Sequence, residues 1–160
     1  MKTYVINLER SPERKAYMQK ILQSVPFLEL EFVTAVDGKA MSEEAREKQF
    51  DAVKFHSRYS NYPRPGEIGC TLSHQKCYRK IVEEDVPYAL ILEDDIILPK
   101  NIDKILKSAE EQLQCDIPQI LLLSGWYWYY TSSHLTGNYK LANVYDAFLT
   151  HASLLSRKSG

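Results

Sequence analysis

The run Tyr88-Ala89-Leu90-Ile91-Leu92 constrains this chain most, because it is apolar at every position and stops on three acids, Glu93-Asp94-Asp95. A strand without alternation must be covered on both faces, which is typical of parallel sheets in α/β proteins. The carboxyl ends of such strands are where open α/β sheets hold ligands. Three carboxylates crowded there repel one another, and burial adds a desolvation cost for each, so a proton or a cation has to be supplied. A hard divalent ion, Mg2+ or Mn2+, suits all-oxygen ligands and often completes its shell with substrate phosphates. The competing reading is a solvated acidic turn.

Strand and helix signals alternate through the rest of the chain. A short apolar strand over 4–8 runs into Glu9-Arg10-Ser11-Pro12-Glu13, where Ser11 can cap a helix and Pro12 suits its first position. Tyr17, Met18, Ile21, Leu22 and Val25 then recur at helical spacing, and Pro26 ends the run. A second strand is expected over 28–34, with a turn over 36–39 and a short helix opened by Ser42. Residues 51–65 carry two prolines and little periodicity, and read as loop. A long helix follows over 66–85, with Cys70, His74, Cys77 and Ile81 on one stripe and Ile68, Leu72 and Val82 on another, so it reads as mostly buried. Asn101 can cap a helix over 102–113, and strands are expected over 117–124, 139–144 and 148–155. This order predicts an open, mostly parallel α/β sheet with helices on both faces and right-handed crossovers.

Composition sets the class. The chain has 160 residues, 44% of them hydrophobic and 26% charged, which fits one globular domain over 1–160 that can build a core without disulfides. A formal charge of −1 disfavours nucleic acid as a partner. No run approaches a membrane span, and charges come too early for a signal peptide, so a cytoplasmic protein with reduced thiols at Cys70, Cys77 and Cys115 is expected.

Other chemistry finds less support. Cys70 and Cys77 are seven residues apart, about 10.5 Å of helical rise, so one ion does not easily reach both. Cys70 with His74, or His74 with Cys77, could face one ion, but no CxxC set completes four ligands, and buried cysteines with a satisfied core histidine are the favoured reading. Gly66 and Gly69 lighten the start of that helix and let a phosphate or sugar approach its amides near Ser73 and His74. The GxGxxG dinucleotide fingerprint, the P-loop and the GxSxG elbow are all missing. The run Trp126-Tyr127-Trp128-Tyr129-Tyr130 can stack a sugar or serve as packing.

Three blocks together resemble glycosyltransferase family 25, the lipooligosaccharide galactosyl- and glucosyltransferases related to collagen galactosyltransferases. They are Tyr4-Val5-Ile6-Asn7-Leu8-Glu9-Arg10-Ser11-Pro12-Glu13-Arg14, Gly66-Glu67-Ile68-Gly69-Cys70-Thr71-Leu72-Ser73-His74 and Ala89-Leu90-Ile91-Leu92-Glu93-Asp94-Asp95. The likeness spans residues 3–157.

The resemblance implies a GT-A-like, Rossmann-type fold and inverting transfer of galactose or glucose from a UDP-sugar to a lipooligosaccharide or related surface glycan. Peripheral contact with the inner face of the inner membrane would go with a glycolipid acceptor. Asp95 would ligate Mn2+ or Mg2+, with Asp94 and Glu93 on the ribose or on metal waters and Glu93 as a second candidate ligand. Asn7, Leu8 and Arg10, with Ala35, Asp37 and Gly38, would hold the nucleoside. Gly66, Glu67, Gly69, Ser73 and His74 would close over the donor. Inversion needs a general base, for which Asp146 and His151 are the candidates. Family members continue beyond Ser156-Arg157-Lys158-Ser159-Gly160, so the expectation is a C-terminally shortened chain lacking an acceptor-side segment. Two alternatives stand beside this: a non-catalytic remnant that binds nucleotide-sugar or glycan, and a metal-dependent phosphohydrolase or nucleotidyltransferase.

Overall fold

A computed structural model describes residues 1–113, 117–123, 126–148 and 151–156. Its first half alternates strand and helix: β1 (Lys2–Asn7), α1 (Pro12–Leu22), β2 (Glu29–Thr34), α2 (Glu43–Gln49), α3 (Ala52–Tyr59), α4 (Pro65–Glu83) and β3 (Tyr88–Glu93). There follow α5 (Ile102–Glu110), β4 (Ile120–Leu122), β5 (Trp126–Thr136), β6 (Tyr139–Phe148) and β7 (Ala152–Ser156). Five strands form the central sheet in the order β2-β1-β3-β7-β4. β1 pairs in parallel with β2 and β3, while β7 lies antiparallel between β3 and β4. Four strands therefore run one way and one runs back, giving the mixed, mostly parallel α/β sheet.

Side-chain alternation sends each strand's residues to two different helical layers. Val5, Leu90 and Leu92 face α1 and α5 through Met18, Leu22, Leu106 and Ala109. Tyr4, Ile6, Ala89 and Ile91 face the opposite way, onto Cys77 and Ile81 of α4. Leu90, Ile91 and Leu92 are each at most 2% exposed, which is why this strand shows no polar alternation. A network on the edge of this second layer joins Lys2 and Lys80 to Glu31 and Glu84. No helix among the described residues is long and apolar enough to cross a membrane.

Several local expectations are corrected. The stretch read as loop over 51–65 contains α3, capped by the Asp51 carboxylate accepting from Lys54 N at 2.8 Å. Its packing is aromatic and short-range, Phe50 against Phe55 and Phe55 against Tyr59, which an aliphatic periodicity does not reveal. Ser42 caps α2 through its side chain, but Ser11 and Asn101 make no side-chain cap bond. α1 ends at Leu22, and Val82, placed on a buried stripe by its spacing, is 60% exposed. The strand expected over 117–124 is the three-residue β4. Strand signal over 139–144 belongs to a separate two-stranded sheet, where β6 pairs antiparallel with β5. The expectation for Cys115, and residue 124 of the strand expected over 117–124, fall outside the described residues.

Candidate functional site

Chain direction gathers the site at one end of the sheet. β1, β2 and β3 are parallel, so the segments after Asn7, Thr34 and Glu93 emerge side by side. The N-terminal part of α4 lies across them. The resulting cavity, about 180 Å³, is lined by Leu8, Arg10, Ala35, Asp37, Gly38, Gly66, Ser73, His74, Glu93, Asp94 and Asp95 among the expected residues. Arg14 and Lys39, which had no expected role there, also line it, as does Cys70 from the Gly66–His74 block. Asn7 stands behind the wall, its Nδ2 donating to Asp94 Oδ2 at 2.7 Å and to the Ser11 carbonyl at 3.1 Å.

The three acids are held in three different ways, and cationic or donor groups relieve their mutual repulsion. Asp94 is buried, with one oxygen on Asn7 and the other accepting from Arg14 at 3.0 Å. Arg14 also reaches Asp95 Oδ2, at 3.3 Å, and the Asp94 carboxylate pushes the guanidinium above its ordinary value. Glu93 directs Oε1 to His74 Nε2 at 3.2 Å and to the Cys70 thiol at 3.5 Å. The bond from His74 holds its carboxyl below the usual carboxylate range, against the opposing effect of burial. Arg14 could have been suspected from charge alone, since it stands in the first turn of α1, four residues after Arg10, and the acids required a cation.

Asp95 has an oxygen to spare. Its side chain is 48% exposed and its one contact with Arg14 is long. Hard cations are commonly held by one or two carboxylates with substrate phosphates supplying further oxygens. The donor chemistry at Asp95 fits such an ion, whereas Glu93, the other expected ligand, is turned to His74 and Cys70.

Some expected binding residues have local work instead. Glu67 Oε2 accepts from Arg64 N at 2.6 Å and satisfies the start of α4. Gly69 and Gly38 let the loop after β2 sit directly on α4: a Cβ on Gly69 would lie 2.5 Å from the Val36 carbonyl oxygen, and one on Gly38 would lie 1.8 Å from that of Pro65. Neither Glu67 nor Gly69 lines the cavity. Ser73 fastens the same junction, with Oγ accepting from Val36 N and donating to the Gly69 carbonyl. At the rim, Arg10 Nε donates to Asp37 Oδ2 at 2.7 Å, and this bond lowers the Asp37 carboxyl from its ordinary value.

The cysteines differ from their expected burial. Cys77 is fully buried, and desolvation pushes its thiol up to about 12, but Cys70 is exposed at the cavity. His74 is buried as expected, yet its Nδ1 has no hydrogen-bond partner among the described residues.

The two base candidates are far apart in character. His151 follows the hairpin and its carbonyl accepts from Glu93 N at 2.8 Å. Together with Asp95, it lines a second, mostly apolar cavity of about 380 Å³ on the α1 and α5 side of β3. Asp146 is exposed on β6, opposite Trp128, and lines neither cavity. The aromatic run also lies on the hairpin, with Trp126 80% and Trp128 62% exposed, so it is not core packing.

Comparison with known proteins identifies the family. The family model described as glycosyltransferase family 25 (LPS biosynthesis protein) matches residues 1–157. The chain is 42% identical over 99 residues to a glycosyltransferase 25 family member of Aedes aegypti, covering 58% of this chain and 16% of that protein. Identity to the Haemophilus influenzae lipooligosaccharide biosynthesis protein lic2B is 34% over 109 residues, covering 67% of this chain and 38% of the other. Procollagen galactosyltransferase 2 of Homo sapiens is 31% identical over 110 residues, 64% of this chain and 17% of its own length. The chain thus spans well under half the length of these relatives. With nearly its whole length matched by the family model, the chain belongs to glycosyltransferase family 25.

Proposed function

We propose that the chain is the donor-binding part of a metal-dependent, inverting glycosyltransferase that moves galactose or glucose from a UDP-sugar to a lipooligosaccharide or related surface glycan. The observation that carries this reading is the cavity at the carboxyl ends of β1 and β3, where Asp95 keeps an accessible carboxylate beside Arg14. In this reading the sheet is the core of a GT-A-like domain, working at the cytosolic face of a membrane that bears the acceptor.

Asp95 would hold Mn2+ or Mg2+. The ion would supply charge stabilisation to the diphosphate leaving group. Arg14, anchored on Asp94, presents its positive charge to the same diphosphate. Arg10 and Asp37 frame the nucleoside at the rim, and Gly66 leaves the wall beside it open. His151, next to the acids through its main chain, is the better placed of the two bases to take the acceptor hydroxyl proton; Asp146 would require an acceptor that reaches the exposed hairpin.

A panel of nucleotide-sugars tests this reading directly. UDP-galactose, UDP-glucose and a GDP-sugar are compared with Mn2+ present and absent, by thermal stability and by release of UDP. Ligand at 100 times its Kd stabilises a folded state by about 2.7 kcal/mol. A UDP-hexose should raise the melting temperature only when the metal is also present. Stabilisation by no donor under any condition would overturn the reading. Binding without release of UDP would instead favour a donor-binding piece without turnover.

A further inference from the structure

We propose that Cys70, His74 and Glu93 form a site for a thiophilic divalent ion of the zinc type, distinct from the hard-cation position at Asp95. Cys70 and His74 are four residues apart on α4, so their side chains share one face of the helix. The end of β3 brings Glu93 across to them, and the three ligand atoms lie within 4.8 Å of one another.

Spacing matches the chemistry. Ligand atoms about 2.0–2.3 Å from a tetrahedral zinc lie about 3.3–3.7 Å apart. Here His74 Nε2 and Glu93 Oε1 are separated by 3.2 Å, and Cys70 Sγ and the same oxygen by 3.5 Å. The Cys70 and His74 ligand atoms lie within 4.8 Å of each other, so an ion can enter once these side chains draw in around it. His74 is 5% exposed, and its buried Nδ1 is sealed away, which leaves Nε2 as the nitrogen directed at the cluster. The cavity opens on the remaining side, so a water or a substrate oxygen can take the fourth position, as in three-ligand zinc sites. A thiolate with an imidazole selects zinc over magnesium or manganese. On binding, the Cys70 thiol gives its proton to solvent and the sulfur donates its electron pair to the ion, while His74 binds as the neutral ring. Affinity consequently rises with pH.

Cobalt(II) tests the site without nucleotide, so its outcome is independent of the donor reading. Titration of the full chain with Co2+ should produce sulfur-to-cobalt charge transfer and the strong visible bands of a tetrahedral ion, both abolished by one equivalent of Zn2+. Cys70→Ser, an exposed change, should remove the charge-transfer band and weaken Zn2+ binding by at least about tenfold. Cys115→Ser should leave the band intact, and His74→Asn should weaken binding while circular dichroism reports whether it folds. Absence of the band in the unaltered chain, or its persistence in Cys70→Ser, would overturn the proposal.

Discussion

Replacing Asn7 with alanine tests the idea that the acid turn is fastened to the first strand by a buried, charged hydrogen bond. Asn7 is 7% exposed and Asp94 8%, and the bond between them is 2.7 Å long. Losing a hydrogen bond to a charged group costs about 1.5–3 kcal/mol, and losing a neutral one about 0.5–1.5 kcal/mol. The Ser11 carbonyl keeps a bond from Lys15 N at 3.3 Å, so the second loss lies at the lower end. The expected total is about 3 kcal/mol, or a fall of about 6–12 °C in Tm for a chain of this size. Urea unfolding should be followed by far-ultraviolet circular dichroism, because Trp126 and Trp128 are exposed on the hairpin and report poorly on the core. Arg14→Met is the contrast: its side chain is 48% exposed, and solvent screening limits the loss to under about 1 kcal/mol. An Asn7→Ala cost within about 0.5 kcal/mol, or a larger cost for Arg14→Met, would show that Asn7 does not fasten the acid turn.

Three further outcomes follow from other parts of the molecule. Gly38→Ala forces a Cβ to within 1.8 Å of the Pro65 carbonyl oxygen and should cost about 3 kcal/mol or more, whereas Gly66→Ala meets nothing within 4 Å and should change thermal stability by less than about 0.5 kcal/mol. Alkylation mapped by mass spectrometry should modify Cys70 far faster than Cys77, whose thiol is buried and pushed up to about 12; equal rates would contradict that burial. Glu84 is held at about 2, chiefly by its bond from Lys80, so its contribution to stability is present above its ordinary value of 4.5 and is lost as pH falls towards 2. Carboxyl-resolved NMR should show Lys80→Met moving Glu84 back towards 4.5, and no movement would remove Lys80 as the cause.

What was legible in the sequence was what depends on neighbours along the chain. The unbroken apolarity of β3 announced a strand covered on both sides, and the acids after it announced a charged sheet end. Long-range partners were not legible. The apolar residues of β7 show that a strand forms, but its reversed direction depends on pairing with β3 and β4 after the chain returns from the hairpin. Arg14 closes the first family-like block, but its role comes from the turn that sets α1 beside the end of β3. Cys70 and Cys77 looked alike on one stripe, yet about two turns of helix take one into the core and leave the other at the cavity. α3 was hidden because aromatic contacts and an Asp51 cap hold it, without an aliphatic face.

Isothermal calorimetry of UDP binding, with and without Mn2+, in the unaltered chain and in Asp95→Ala asks whether Asp95 anchors the diphosphate through a metal ion. Heat of binding is expected for the unaltered chain only when Mn2+ is present, and none for a folded Asp95→Ala under the same conditions. Equal UDP affinity in the two proteins, or binding indifferent to the metal, would contradict it.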